Sequence, residues 1–125
     1  MTGRVRTIGL ALALLLVGCG RTTDDEPRVA VPGGDAARGR HAIAEYGCGA
    51  CHVIPGIKGA DGLVGPPLER WSRRSFIAGA VPNTPDQLVR WIQAPQAVEP
   101  GTAMPDLGVT ERESRDIAAY LSSLR

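Results

Sequence analysis

Cys48-Gly49-Ala50-Cys51-His52 is the stretch on which the reading of this chain turns. Two thiols separated by two residues, at the end of a helical segment, can both reach the two vinyl groups of one porphyrin. The imidazole directly after them then lies under the ring, where it can bind iron. C-x-x-C-H is the attachment signal for c-type haem. Two other readings compete for the same residues. A C-x-x-C pair forms the redox disulfide of thioredoxin-like proteins, but no strand–helix context surrounds it here. Half a zinc site is the other, but zinc takes four ligands, and Cys48, Cys51 and His52 supply three.

Composition agrees with a cofactor at the centre. The chain has 125 residues, with 43% hydrophobic but only 4% aromatic, the five rings being Tyr46, Trp71, Phe76, Trp91 and Tyr120. With 16 Gly and 10 Pro as well, such a domain is short of core material and leans on a disulfide, metal or cofactor. A formal charge of +1 excludes a strongly basic nucleic-acid binder.

Working outward from the motif, the expectation is an all-α domain of three main helices joined by long loops. Asp35 caps a first helix running to about Tyr46, with Gly39, Ile43 and Tyr46, or Gly39, Ala42, Ile43 and Tyr46, along one side. Thr84 caps a second, with Pro85 at its first position, a stripe of Leu88, Trp91 and Ile92, and a stop at Pro95. Thr110 and Glu113 form a capping box ahead of a third, whose Ile117, Tyr120, Leu121 and Leu124 make one apolar face. The Gly/Pro-rich stretches from Gly47 to about Asn83 and from Pro95 to Val109 are long for loops unless they wrap something. No alternating apolar pattern argues for a sheet.

A sixth iron ligand should come from downstream. Of the two methionines, Met1 falls in a removable leader, which leaves Met104 in the stiff Pro100-Gly101-Thr102-Ala103-Met104-Pro105 loop. A thioether opposite an imidazole raises the reduction potential. A lone methionine is otherwise a core gap-filler, and His41, on the first helix, is the rival ligand or simply an exposed side chain.

The N-terminus reads as an address. Arg4 and Arg6 precede a ten-residue apolar run, Ile8 to Val17, that is too short to span a bilayer. Leu16-Val17-Gly18-Cys19 resembles a bacterial lipobox, which implies lipidation of Cys19 after removal of the 1–18 signal peptide. Taking 18 residues from 125 leaves 107, and loss of the two arginines brings Lys+Arg from 14 to 12 against 13 acidic residues, a net charge of −1. Residues 19–34 read as a lipidated, flexible tether and 35–125 as the domain.

Over residues 35–125 the chain resembles the class I monohaem cytochromes c. Gly39, Ile43, Ile117 and Tyr120 match the crossing of that family's first and last helices, and Leu88, Ile92 and Pro95 also fall in step. The resemblance implies that the Pro66 carbonyl accepts the second ring N–H of His52, and that Arg74 and Thr102 lie near a haem propionate. Trp91 stands in the place of a tyrosine beside the methionine ligand, either donating to Met104 or forming pocket core. The family's propionate-binding tryptophan has no counterpart, because the Arg74–Leu88 segment is shorter, and Asn83 is a candidate replacement. Arg70 and Arg73 read as solvated charges and Trp71 as a cap over a small loop core. Cys51-His52-Val53-Ile54-Pro55-Gly56, Gly65-Pro66-Pro67-Leu68, Ile77-Ala78-Gly79 and Asn83-Thr84-Pro85, together with the Met104 loop, look like the cytochrome c domain fused to subunit II of caa3-type oxidases. Its copper-binding domain is absent here.

The function implied is an electron carrier, not an enzyme: one haem c, its iron held by His52 and Met104, facing the periplasm on a lipid anchor. A quinol-oxidising complex and a cytochrome c oxidase are the implied partners, met by a monomer through small, partly apolar contacts. The alternative is a ligand-binding or peroxidase-like haem protein, which needs a displaceable sixth ligand.

Overall fold

A computed structural model of the protein describes residues 29–125. Cys19, the 1–18 leader and most of the 19–34 tether lie outside the described residues. Four helices appear among them: α1 (Ala36–Glu45), α2 (Pro85–Gln93), α3 (Pro95–Val98) and α4 (Glu111–Ser122). The three long ones begin where their caps predict. Asp35 accepts from the Arg38 N–H, Thr84 from that of Gln87 and Thr110 from that of Glu113, each satisfying a donor the first helical turn leaves open.

α1 crosses α4 and α2 packs on α4, so α4 is the central element. The α1–α4 crossing depends on Gly39, since a Cβ there would stand 1.9 Å from the Asp116 carbonyl oxygen. Ala42 and Ile43 then meet Ile117, Ala118 and Leu121 in one buried cluster, each large aliphatic side chain contributing about 1.5–3 kcal/mol.

Asp116 adds a polar clamp to the same crossing. Its carboxylate, 2% exposed, accepts from the Asp35 N–H at 2.8 Å and from Nε and Nη2 of Arg38, both at 2.8 Å. These hydrogen bonds, the Arg38 pair first, hold its pKa below the ordinary 3.8. The packed body also reaches ahead of the Asp35 cap: Val31 is buried, and the Pro32 carbonyl accepts from Arg115.

The 47–83 stretch is less irregular than its composition predicts. It holds 3₁₀ turns at Cys48–Ala50 and Trp71–Arg73. It also holds a two-residue antiparallel pair, β1 (Phe76–Ile77) and β2 (Val81–Pro82), in the register Phe76 to Pro82 and Ile77 to Val81. Strands of two residues show no alternation to read. α3 also lies in a stretch whose composition predicts loop: Pro95 ends α2 and, lacking an N–H, starts α3 as its first residue.

Candidate cofactor site

The first contribution to the site comes from the end of α1. Tyr46 closes the helix, and Gly47, at φ +68°, turns the chain in the left-handed region open to glycine. The next turn carries Cys48 and Cys51, both unpaired and partly buried. Burial pushes the Cys48 thiol above its usual pKa. The two sulfurs are therefore not joined in a thioredoxin-like disulfide, and among the described residues no three His, Cys, Asp or Glu side chains gather as a metal cluster.

His52 is fixed by the segment that runs on from it to Leu68. The Gly65 N–H donates to the Cys51 carbonyl at 2.8 Å and the Leu68 N–H to that of Val53, folding residues 52–68 back on themselves. The Pro66 carbonyl is thereby brought 2.7 Å from His52 Nδ1. A carbonyl only accepts, so the proton sits on Nδ1, and the lone pair is left on Nε2, the nitrogen free to bind a metal. Gly65 lies against the ring: a Cβ there would come within 2.3 Å of His52 Cε1.

Met104 is delivered from the other side. The Gln96 amide, on α3, donates to the Met104 carbonyl at 2.7 Å, and the Met104 N–H donates to Thr102 Oγ1 at 3.2 Å. The contact expected of Thr102, with a propionate, therefore has a second function beside it, bracing Met104. Sequence reasoning passes over Gln96 because it falls in an expected loop; the signal available is Pro95 as a helix start.

Between these two segments lies a cavity of about 480 Å³, lined by Cys48, Cys51, His52 and Met104 together with Ile43, Leu68, Trp71, Leu88, Trp91 and Leu121, a volume in the range of ligand sites. Pro66, Arg74 and Thr102 line it too, whereas Asn83, the candidate propionate contact, does not: its amide donates to the Trp71 and Arg74 carbonyls. Trp91 is buried in its wall. Arg74 donates to the Pro67 carbonyl, and its guanidinium lies 4.9 Å over the Trp71 ring. His41, the rival ligand, is exposed on α1 and outside the lining, and Arg70 and Arg73 are exposed. Two thiols, one imidazole with its distal nitrogen oriented by hydrogen bonding, and one thioether around an apolar slot fit a covalently attached haem c with its iron.

Two tyrosines brace α4 around the site, and of them Tyr46 lines the cavity. The Tyr120 hydroxyl donates to the Pro55 carbonyl at 2.5 Å, tying α4 to the segment after His52. The Tyr46 hydroxyl donates to Glu113 at 2.8 Å. Glu113, which also accepts from the Thr110 hydroxyl, is held below the usual carboxylate range by these bonds, the Thr110 one first.

The cytochrome c family model matches residues 36–125. The chain is 33% identical over 91 residues to "Cytochrome c oxidase subunit 2" of Alkalihalophilus pseudofirmus, covering 72% of this chain and 26% of that protein. It is 31% identical over 107 residues to a cytochrome c of Tetrahymena pyriformis and 35% identical over 107 residues to a cytochrome c2 of Rhodopila globiformis. Those matches cover 79% and 75% of this chain and 97% of each relative. The chain thus spans about a quarter of the oxidase subunit and nearly all of the two free-standing relatives. With a matched region that includes Cys48, Cys51, His52 and Met104, the chain belongs to the cytochrome c family, in its class I form built around a covalent haem c.

Proposed function

We propose that the chain is a membrane-anchored, extracytoplasmic electron carrier that uses one haem c. Cys48 and Cys51 would hold the ring through thioethers, and His52 and Met104 would be the protein's ligands to its iron. The observation that carries the reading is the convergence of both thiols, the free Nε2 of His52 and Met104 on one apolar cavity. With both ligands drawn from the protein, a bound haem would supply a one-electron couple and leave no open position for a substrate. Pro66 orients and strengthens the His52 donor, and Thr102 with Gln96 steadies Met104.

Electrons would pass at the cavity mouth. Val64 and Leu107, exposed by 77% and 41%, line it, and Leu63 beside them is 86% exposed. Such a rim suits brief, largely apolar docking by a monomer. The downstream partner we infer is a haem–copper oxidase, on the strength of the similarity to an oxidase subunit 2. The Cys19 lipid would keep the carrier near such partners and raise its effective concentration. No helix among the described residues is long and apolar enough to cross a membrane.

Carbon monoxide tests the iron ligation. The ferrous protein is expected to bind it only slowly, because Met104 must leave first, and Met104→Ala to bind it rapidly. Rapid binding by the native protein would overturn the carrier reading in favour of a ligand-binding haem protein. Cys19→Ser tests the anchor: the protein should leave the membrane fraction with its haem spectrum unchanged, and retention after a salt wash would refute it.

A further inference from the structure

Val31-Pro32-Gly33-Gly34 lies ahead of the matched 36–125 region, in what the sequence reads as tether. In the structure it is a turn. The Gly34 N–H donates to the Val31 carbonyl at 3.0 Å around Pro32 and Gly33, and Gly33 stands at φ +75°. Proline followed by glycine at the two central positions suits a type II turn, which needs a positive φ at the second.

This turn is pressed onto α4. Val31 is buried in the core cluster, while Val29, two residues earlier, is exposed. A Cβ on Gly34 would stand 2.4 Å from the Arg115 carbonyl oxygen and 3.0 Å from Ala119 Cβ, and the Arg115 side chain donates to the Pro32 carbonyl. Arg115 and Ala119 each stand two residues from Ile117, about 200° round the helix. Ile117 and Leu121 line the cavity; Arg115 and Ala119 do not. Residues 31–34 are therefore a strap on the side of α4 turned away from the cavity.

We propose that this strap roots the lipid tether behind α4, so that the anchored carrier cannot turn its cavity mouth onto the bilayer and serves a redox partner whose electron-exchange site stands clear of the membrane surface. The inference rests on the Cys19 anchor and the haem c reading. A domain of this size has a radius of gyration of about 12–13 Å, which for a sphere means a radius of about 16 Å. Before the mouth could meet the membrane, a chain rooted behind α4 would have to round a quarter of that circumference and then descend one radius, about 41 Å. Cys19 and Val31 are 12 residue steps apart, which span at most about 40–43 Å when fully extended. Rooted at Asp35 instead, the chain would have 16 steps and a reach of about 53–58 Å. Those four residues thus decide whether the mouth can touch lipid. The distinction matters because Leu63, Val64 and Leu107 make the mouth apolar, and an apolar patch suits a membrane as well as a protein.

Oxidation of the ferrous, lipidated holoprotein on vesicles tests this. Two oxidants are compared: ferricyanide in the water, and a lipid carrying ferrocenium on its headgroup. Each takes one electron from the ferrous protein, becoming ferrocyanide or ferrocene. Ferricyanide should oxidise the native protein and both variants below alike. The ferrocenium lipid should oxidise the native protein at least roughly tenfold more slowly than a variant with four Gly/Ser residues inserted between Asp25 and Glu26, because a tether that cannot span its sites gives an effective concentration near zero. Val31→Asp, with the tether unlengthened, should match the inserted variant. Release of its strap is read from hydrogen exchange at the Gly34 N–H, slow in the native protein and fast in the variant; if it stays slow, the inserted variant alone decides. Equal ferrocenium rates for native and inserted proteins overturn the proposal, and so does a native rate in a Val31→Asp protein whose strap is released. A native protein that does not hold to vesicles fails the Cys19 anchor, and the strap's role with it, whereas one that holds and reacts at the inserted variant's rate fails the strap alone.

Discussion

His52 is held by a contact and by an omission. Pro66 accepts its Nδ1 proton at 2.7 Å, and Gly65 leaves out the Cβ that would meet its Cε1 at 2.3 Å. Gly65→Ala must therefore turn the imidazole or lift the loop off it. The expected result is a lower yield of covalent haem and a lower potential in whatever matures, read from haem per protein and redox titration. Normal values of both would show that the loop yields freely. The Pro66 contact was legible only through the likeness of Gly65-Pro66 to the Gly-Pro of class I cytochromes c; that Gly65 must lack a Cβ shows only in the folded chain. Gln96 was not legible, because its acceptor is the Met104 backbone carbonyl, and no residue type marks a carbonyl. Replacing it by leucine removes one hydrogen bond of about 1 kcal/mol, so carbon monoxide should enter the ferrous protein about fivefold faster. An unchanged rate in Gln96→Leu would mean that the prolines alone hold the loop.

At the scale of elements, the α1–α4 crossing carries the fold. Gly39→Ala places a methyl group 1.9 Å from a backbone oxygen of α4, and neither backbone can give way without parting the helices. A loss of about 3 kcal/mol is expected, or roughly 15 °C in melting temperature for a domain of this size; a shift under about 3 °C would contradict that geometry. Caps and apolar stripes made the three long helices readable, since capping residues and a 3.6-residue period are local properties. Asp116 was unreadable, because an acidic residue beside a helix stripe ordinarily faces water, and only the partner helix brings Arg38 and the Asp35 N–H to it. Its depressed pKa has a definite sign in stability. The folded state holds the proton more weakly than the unfolded chain, so the contribution is present above the unfolded pKa near 3.8 and is lost as pH falls below it. Urea midpoints should decline below about pH 4 in the native protein, and that decline should be shallower in Asp116→Asn. Parallel acid limbs would place the titrating group elsewhere.

For the whole molecule, charge and volume decide different things. The chain is near neutral, at a formal +1, and among the described residues Arg74 is the one side chain of fixed charge in the cavity lining, while Leu63, Val64 and Leu107 stand exposed at or beside its mouth. Encounter with a redox partner should accordingly change by less than about threefold between low and high salt, where steered encounters fall steeply. Stopped-flow electron transfer measures this, and a steep salt dependence would shift docking to a charged face. Volume governs whether the fold exists without its cofactor. Without haem, the cavity of about 480 Å³ leaves the apolar side chains that line it facing water instead of a cofactor, and each such side chain loses burial worth about 1.5–3 kcal/mol. The few rings of this sequence have no surplus to collapse into such a space. Cys48→Ala/Cys51→Ala, taken in its haem-free form, should therefore lose most of its helical circular dichroism and its cooperative melt, not merely its colour. Retention of a native-like spectrum and a sharp thermal transition would show that α1, α2 and α4 close on one another unaided, and that the haem is a passenger in the fold.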